Sequence, residues 1–301
     1  MRSIRSLQIT AFVTFATGSI LAASCLESGP AKPYDVGFVP SSRTLRWLSL
    51  GHPTLAANFL WLRAVQYIGE ERADERGWDK LHPLVDAVTD LDPKHGYAYQ
   101  VAGIVLGSKG FTEESSAILE KGTRNLPERY ILPYLRAFNA FYYDDDWVAA
   151  GRFAEISARA PGAPTHVRQN VLAYYVKGRR ADAAVAFLEQ TLADTEDPES
   201  RKAVESQLRQ ARLEQAVRRL DEAVDTWRGH YFAGPLAPWQ LVTEGLVASI
   251  PDDPTGGEFY IGEDGRIRSS ANPYRVGRAE RARDMNPEAW MKKAQRQEQR
   301  P

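Results

Sequence analysis

Three short stretches decide the fold of this chain, and they read Leu91-Asp92-Pro93, Asn125-Leu126-Pro127 and Arg159-Ala160-Pro161. Both steps between their prolines are 34 residues long. Proline fits just past the end of one helix or in the first turn of the next, and it disrupts a helix interior. The spacing therefore predicts a repeat of two helices that is closed by a proline.

Small residues recur in the same register, at the eighth and twentieth positions of the units, where two helices would approach closely. They are Gly69, Gly103, Ala137, Ser115 and Ala149. The first unit departs from this pattern because its twentieth position is the larger Leu81. A fourth unit is less regular, since its closing Pro198 comes three residues late.

This register resembles the tetratricopeptide repeat family over roughly residues 50–200. The resemblance implies a mainly α fold in which antiparallel helix pairs stack into a solenoid. We predict a repeat domain over residues 51–198. A long capping helix is predicted over 199–228, because apolar residues follow a helical period between Val204 and Val224.

The first helix of each tetratricopeptide pair usually faces a binding groove. The resemblance implies a partner-binding groove made by Tyr97, Gln100, Ile104, Tyr134, Phe138, Phe141, Arg168, Leu172 and Tyr175. Side chains of this kind suit a peptide or a helix of another protein. The alternative is that several of them are core residues, covered by the predicted capping helix.

The first 24 residues have the features of a secretory signal peptide. Arg2 and Arg5 precede an uncharged, mostly apolar run at 9–23, which is shorter than a transmembrane helix needs. Residues 21–25, Leu-Ala-Ala-Ser-Cys, resemble the lipobox of bacterial lipoproteins, with the leucine one place early and serine before the cysteine. We expect cleavage before Cys25 and lipidation of this only cysteine. An uncleaved signal anchor is the alternative.

A lipid on Cys25 would hold the protein on the periplasmic face of a bacterial membrane. Residues 25–50 would be the lipidated cysteine and a linker, since proline and glycine punctuate the segment. Leu26 follows the cysteine, where an aspartate retains lipoproteins in the inner membrane of well-studied diderm bacteria. Its absence favours the outer membrane.

The composition changes at Gly229, and a small hairpin module is predicted over 229–276, followed by a flexible tail over 277–301. Its strands are expected at 259–261 and 266–268. Residues 217–270 resemble the C-terminal part of type II secretion pseudopilins in their order of long helix, Asp-Pro-x-Gly loop and hairpin. Some pseudopilins bind calcium near this loop, whereas the acidic residues here are expected to serve turns.

The sequence offers no convincing catalytic site. It has no glycine-rich phosphate loop, no His-Glu-x-x-His and no Gly-x-Ser-x-Gly, and its five histidines lack metal-ligand spacing. A net charge of -1 gives no basic field for nucleic acid.

We expect a non-enzymatic scaffold without cofactor or metal, which binds another envelope protein or peptide and assists assembly of a secretion or pilus machine. The alternatives are an envelope enzyme with its site in the C-terminal module and a non-specific structural spacer.

Overall fold

The computed structural model describes residues 38–70, 74, 77–231 and 233–272. This part of the chain is mainly helical and carries a small two-stranded antiparallel sheet near its C-terminal end, which confirms the predicted fold class. The predicted signal peptide, Cys25, linker residues 25–37 and the tail over 277–301 lie outside the described residues. Within the described ranges, no helix combines the length and the apolar character that crossing a bilayer requires.

The chain divides into two compact units, one ending at Leu91 and the other beginning at Asp92. The first unit contains α1 (Ser42–Leu48), α2 (Pro53–Gly69) and α3 (Leu81–Leu91). The second contains α4 (Gly96–Lys109), α5 (Thr112–Asn125), α6 (Ile131–Tyr142), α7 (Trp147–Arg159), α8 (Thr165–Lys177), α9 (Ala181–Asp194), α10 (Pro198–His230) and α11 (Trp239–Thr243). It ends with β1 (Phe259–Ile261) and β2 (Ile267–Ser269).

Three helix pairs of the second unit follow the predicted register: α4 with α5, α6 with α7, and α8 with α9. Their first helices begin at Gly96, Ile131 and Thr165, a few residues beyond the repeating prolines. Each helix packs mainly on its neighbours in the sequence, and α4 also packs on α6. Contacts between successive elements are typical of helical repeats, so this unit is solenoid-like.

A glycine allows α4 and α5 to approach closely at the predicted position. A Cβ atom added to Gly103 would lie 2.5 Å from Cδ2 of the buried Leu119. Ser115 of α5 donates its hydroxyl to the Gly103 carbonyl oxygen at 2.6 Å, and Asn139 of α6 donates to the same hydroxyl oxygen at 2.7 Å. These buried polar groups therefore satisfy one another and join three helices.

The first unit does not use this close approach. Its twentieth position, Leu81, is fully buried, and a Cβ atom on Gly69 would meet nothing within 4 Å. Helix α2 packs on α3, and its buried residues are Ala57, Ala64 and Tyr67. The Tyr67 hydroxyl donates to the Gly77 carbonyl oxygen at 3.0 Å. With the larger Leu81 at this position, α2 and α3 thus pack differently from α4 and α5.

Helix α10, found where the capping helix was predicted, belongs to two hydrophobic clusters. Its first half packs with α8 and α9 through Val204, Leu208 and Ala211, in a cluster that includes Val171 and Leu188. Its second half packs with α11 and β2. The residues of this second cluster are Leu213, Val217, Leu220, Ala223, Val224, Leu241, Val247 and Ile267. The helix therefore covers the last repeat and also supports the hairpin module.

The β1–β2 hairpin is fastened along α10 by polar contacts at helical spacing. Asp221 accepts a hydrogen bond from the Ile267 backbone N–H at 2.8 Å. Asp225 pairs with Arg266 at 2.7 Å, and Arg228 donates to the Gly265 carbonyl oxygen at 2.9 Å. The two strands pair with Phe259 opposite Ser269. Strand β2 begins at Ile267, one residue later than predicted.

Asp253 of the Asp-Pro-x-Gly loop serves a turn, as expected. Its carboxylate accepts hydrogen bonds from the backbone N–H and the hydroxyl of Thr255, at 2.7 and 2.6 Å. Burial opposes ionisation of this group, yet hydrogen bonds from Ser269 and Thr255 hold the pKa of Asp253 below its ordinary value. The loop is thus stabilised by an ionised aspartate.

The acidic turn at 144–146 caps helix α7, since the Asp146 carboxylate accepts a hydrogen bond from the Ala149 N–H at 2.8 Å. We expect Asp146→Ala to lower the free energy of unfolding by about 1 kcal/mol, because an N-terminal amide of the helix loses its partner. Asp146→Asn retains a capping oxygen and should change stability little. Urea denaturation followed by circular dichroism measures both, and equal effects of the two substitutions would contradict a capping role.

Candidate interaction surface

An aromatic cluster lies where α6 ends and α7 begins. Its members are Phe138, Phe141, Tyr142, Tyr143, Trp147 and Tyr174. The Phe138 and Tyr142 rings are stacked with centroids 5.0 Å apart, and the Phe141 ring stacks on Tyr174 of α8 at 5.1 Å. Aromatic contacts at these distances add stabilisation to the area they bury. The cluster therefore ties two helix pairs together.

Local polar contacts hold the tryptophan in this cluster. The Trp147 indole N–H donates to the Asp145 carboxylate at 2.9 Å. The Lys177 ammonium lies 4.1 Å from the centroid of the Trp147 ring, which is a cation–π geometry. Burial, with a smaller contribution from Tyr134, raises the pKa of the Tyr174 phenol above its ordinary value. Burial thus disfavours the ionised form of the phenol.

Exposed apolar side chains lie on the first helices of the pairs. Tyr97 and Ile104 of α4 are exposed and lie seven residues apart, two helical turns, so they share one side of that helix. On α6, which packs on α4, Phe138 is exposed while Tyr134 and Phe141 are half-buried. We call Tyr97, Gln100, Ile104, Tyr134, Phe138 and Phe141 the open face. Gln100 is half-buried as well.

Polar groups of α8 lie beside this face. The Tyr134 ring meets the His166 ring edge-on, with centroids 5.9 Å apart. His166 is exposed, and Arg168 is half-buried. The structure thus leaves seven of the nine predicted groove residues with accessible surface. His166 beside Tyr134 and Lys177 over Trp147 give that surface a polar edge.

Leu172 and Tyr175 were predicted for the groove, but the structure places both in a hydrophobic core. Their side chains are only 7% and 3% exposed, in the cluster shared with Val204 and Leu208 of α10. The Tyr175 hydroxyl donates to Glu155 at 2.7 Å. The reason is that α10 packs on α8. The burial of these two residues fits the alternative of core residues covered by the predicted capping helix.

The predicted groove also missed residues that the structure brings together. Tyr142, Tyr143, Trp147 and Tyr174 complete the aromatic cluster, yet none matches a groove position of the repeat. The run Phe138-Asn139-Ala140-Phe141-Tyr142-Tyr143 carries an unusual density of aromatic residues, and this was the available signal. The groove positions of the family describe the average repeat, and most of this cluster lies outside them.

The open face has the composition of a contact surface. Exposed rings and aliphatic groups lie beside basic side chains, an arrangement typical of protein-binding patches. Among the residues that the structure describes, no group of three or more His, Cys, Asp or Glu side chains is placed to hold a metal ion. Comparisons with protein family models, curated proteins and solved structures found no match to this chain.

Proposed function

We propose that this protein is an interaction scaffold of a bacterial cell envelope, which binds another envelope protein or peptide through the open face. The observation that carries the proposal is the joint exposure of Tyr97, Ile104 and Phe138 on first helices of repeat pairs. Large apolar side chains exposed together are a cost unless a partner covers them, and they mark binding surfaces. The enzyme and spacer alternatives have no comparable observation in their favour.

The chemistry of the open face favours a segment with apolar or aromatic anchors. Aromatic residues that are well packed from behind lose little side-chain entropy on binding, and they dominate the energetics of many interfaces. Phe138 fits this description, because Phe141 and Tyr142 pack against its ring. Lys177 and His166 beside the aromatic rings suit an acidic neighbour of those anchors.

The envelope location rests on the N-terminal sequence. A signal peptide over 1–24 and a lipid on Cys25 would attach the scaffold to the periplasmic face of a membrane, with Leu26 favouring the outer membrane. The pseudopilin-like order of α10, loop and hairpin supports a role in assembly of a secretion or pilus machine. The tetratricopeptide-like register supports protein binding as the activity.

Two isoleucines provide a matched test. Ile104 of the open face and Ile156 of α7 have similar exposures, 48% and 43%. With a photo-crosslinking residue at either position of the full chain in its own cells, we expect position 104 to capture one defined envelope protein and position 156 not to. For the captured partner, Ile104→Ala should weaken binding by roughly fivefold or more, the loss of about 1 kcal/mol typical of an interface contact.

The matched Ile156→Ala variant should bind that partner unchanged, and circular dichroism should show both variants folded. Equal crosslinking from positions 104 and 156, or none from 104, would count against the open face as a binding surface.

A further inference from the structure

Helix α2 exposes several of its large apolar side chains on the side opposite its buried alanines. Its buried residues are Ala57, Ala64 and Tyr67. Leu55, Phe59 and Leu62 are 56%, 63% and 59% exposed. They are four and three residues apart, so they form one stripe, and at 100° per residue this stripe lies opposite Ala57 and Ala64. We call Leu55, Phe59 and Leu62 the outer stripe.

The neighbouring helix extends this unusual exposure. Trp47 and Leu48 of α1, and Leu50 in the turn that follows, are also exposed, and α1 packs on α2 and α3. Half of the large apolar side chains that the described residues expose lie between positions 38 and 65. Such a concentration indicates a surface that something apolar covers.

The segment between Asp35 and Glu70 carries only basic charges. No aspartate or glutamate occurs between Asp35 and Glu70, although the chain contains 39 acidic residues. The same segment includes Arg43 and Arg46, both exposed on α1. Arg46 donates to the Asp90 carbonyl oxygen at 2.7 Å, which leaves its positive charge in place. A surface of exposed leucines and phenylalanine flanked by tryptophan and arginine is the composition of interfacial membrane helices.

We propose that the outer stripe of α2, flanked by α1, lies in the surface of an anionic lipid bilayer. The aliphatic and aromatic groups would enter the boundary between headgroups and acyl chains, while the α1 arginines contact lipid phosphates. The location near a membrane rests on the proposed envelope anchor, since only residues 26–37 separate Cys25 from the described chain. The bilayer is favoured over a protein partner because the segment lacks acidic residues altogether.

The test places a nitroxide on the stripe in the full chain with Cys25→Ser, so that the label has one site. Leu62→Cys carries the label, Leu55→Cys repeats the test on the same stripe, and Ala117→Cys on the exposed side of α5 is the control. Each labelled protein is mixed with vesicles of phosphatidylethanolamine and phosphatidylglycerol. Collisions of the label with oxygen and with a water-soluble nickel complex report its depth.

We expect labels at positions 62 and 55 to gain oxygen contact and lose nickel contact on these vesicles, while the label at 117 stays in water. Arg43→Gln should reduce the lipid-contacting population of the label at 62 by roughly fivefold, the effect of one arginine near an anionic surface. Neutral phosphatidylcholine vesicles should give a smaller change.

Labels at 62 and 55 that remain in water on these vesicles would overturn the inference, and they would say nothing about the lipid anchor, because the Cys25→Ser variants lack its acceptor. Labels that become immobile without lipid as protein concentration rises would overturn it in favour of a second copy on the stripe. Neither result bears on crosslinking from position 104, so failure of this inference and failure of the scaffold proposal are distinguishable.

Discussion

Gly103→Val is expected to lower the free energy of unfolding of the second unit by about 3 kcal/mol, at the upper end of the usual cost of overpacking. The added Cβ atom alone would lie 2.5 to 2.9 Å from three side-chain carbons of Leu119, which is itself fully buried. Helices α4 and α5 would have to move apart. This movement would also stretch the hydrogen bond from Ser115 to the Gly103 carbonyl oxygen. Urea denaturation followed by circular dichroism provides the measurement.

The first unit supplies the control at the same repeat position. Gly69→Val adds a side chain where no atom lies within 4 Å of the new Cβ, so its effect should be small. A double-mutant cycle sharpens the test, because Leu119→Ala removes the atoms that clash. Gly103→Val should cost less in that background, by at least 1 kcal/mol for residues in contact. Equal costs of the valine at 103 and 69 would show that the glycine has no packing role.

Leu220→Ala is expected to destabilise the hairpin module by about 2–5 kcal/mol, the range for a fully buried leucine. Leu220 lies in the cluster formed by the second half of α10 with Leu241 and Ile267. Loss of this packing should loosen β1 and β2, so amide hydrogen exchange at Ile267 and Gly262 should accelerate strongly.

Leu208→Ala is the matched variant, since it changes the same residue type on the same helix. Leu208 belongs to the cluster with Val171 and Leu188 of the last repeat, so exchange in α8 and α9 should accelerate instead. Comparison of the two variants tests whether the two halves of α10 belong to separate hydrophobic cores. Identical exchange patterns for both variants would show that the repeats and the hairpin module unfold as one body.

The repeat could be predicted from sequence because its signals are local. Prolines and small residues at fixed spacing report where a helix ends and where two helices touch. The glycine at 103 was found this way, and its contact with Leu119 is observed. The sequence also identified Leu81 as a departure from the pattern. The effect of this larger residue could be seen only in the structure, because it depends on how α2 and α3 pack.

The open face could be predicted only in part, because burial also depends on elements outside the repeat. Tyr97, Ile104 and Phe138 are exposed as their repeat positions suggest. Leu172 lies 34 residues after Phe138 and has the equivalent position, but it is buried because α10 packs on its helix. No pattern within the repeat contains that information. The period of an apolar stripe likewise reveals a helix without saying which side faces the core, so Leu55 and Phe59 could not be placed outside from sequence.

The double membership of α10 also constrains how this chain could be divided or recombined. The change from one hydrophobic cluster to the other falls between Ala211 and Leu213, inside a continuous helix, and not in a connecting loop. Truncation after His230 would keep every repeat but would expose the side chains of Leu220 and Val224. The hairpin module therefore cannot be exchanged independently of the repeats. A fusion protein that keeps the repeats must also keep the hairpin module, or the second half of α10 must be redesigned.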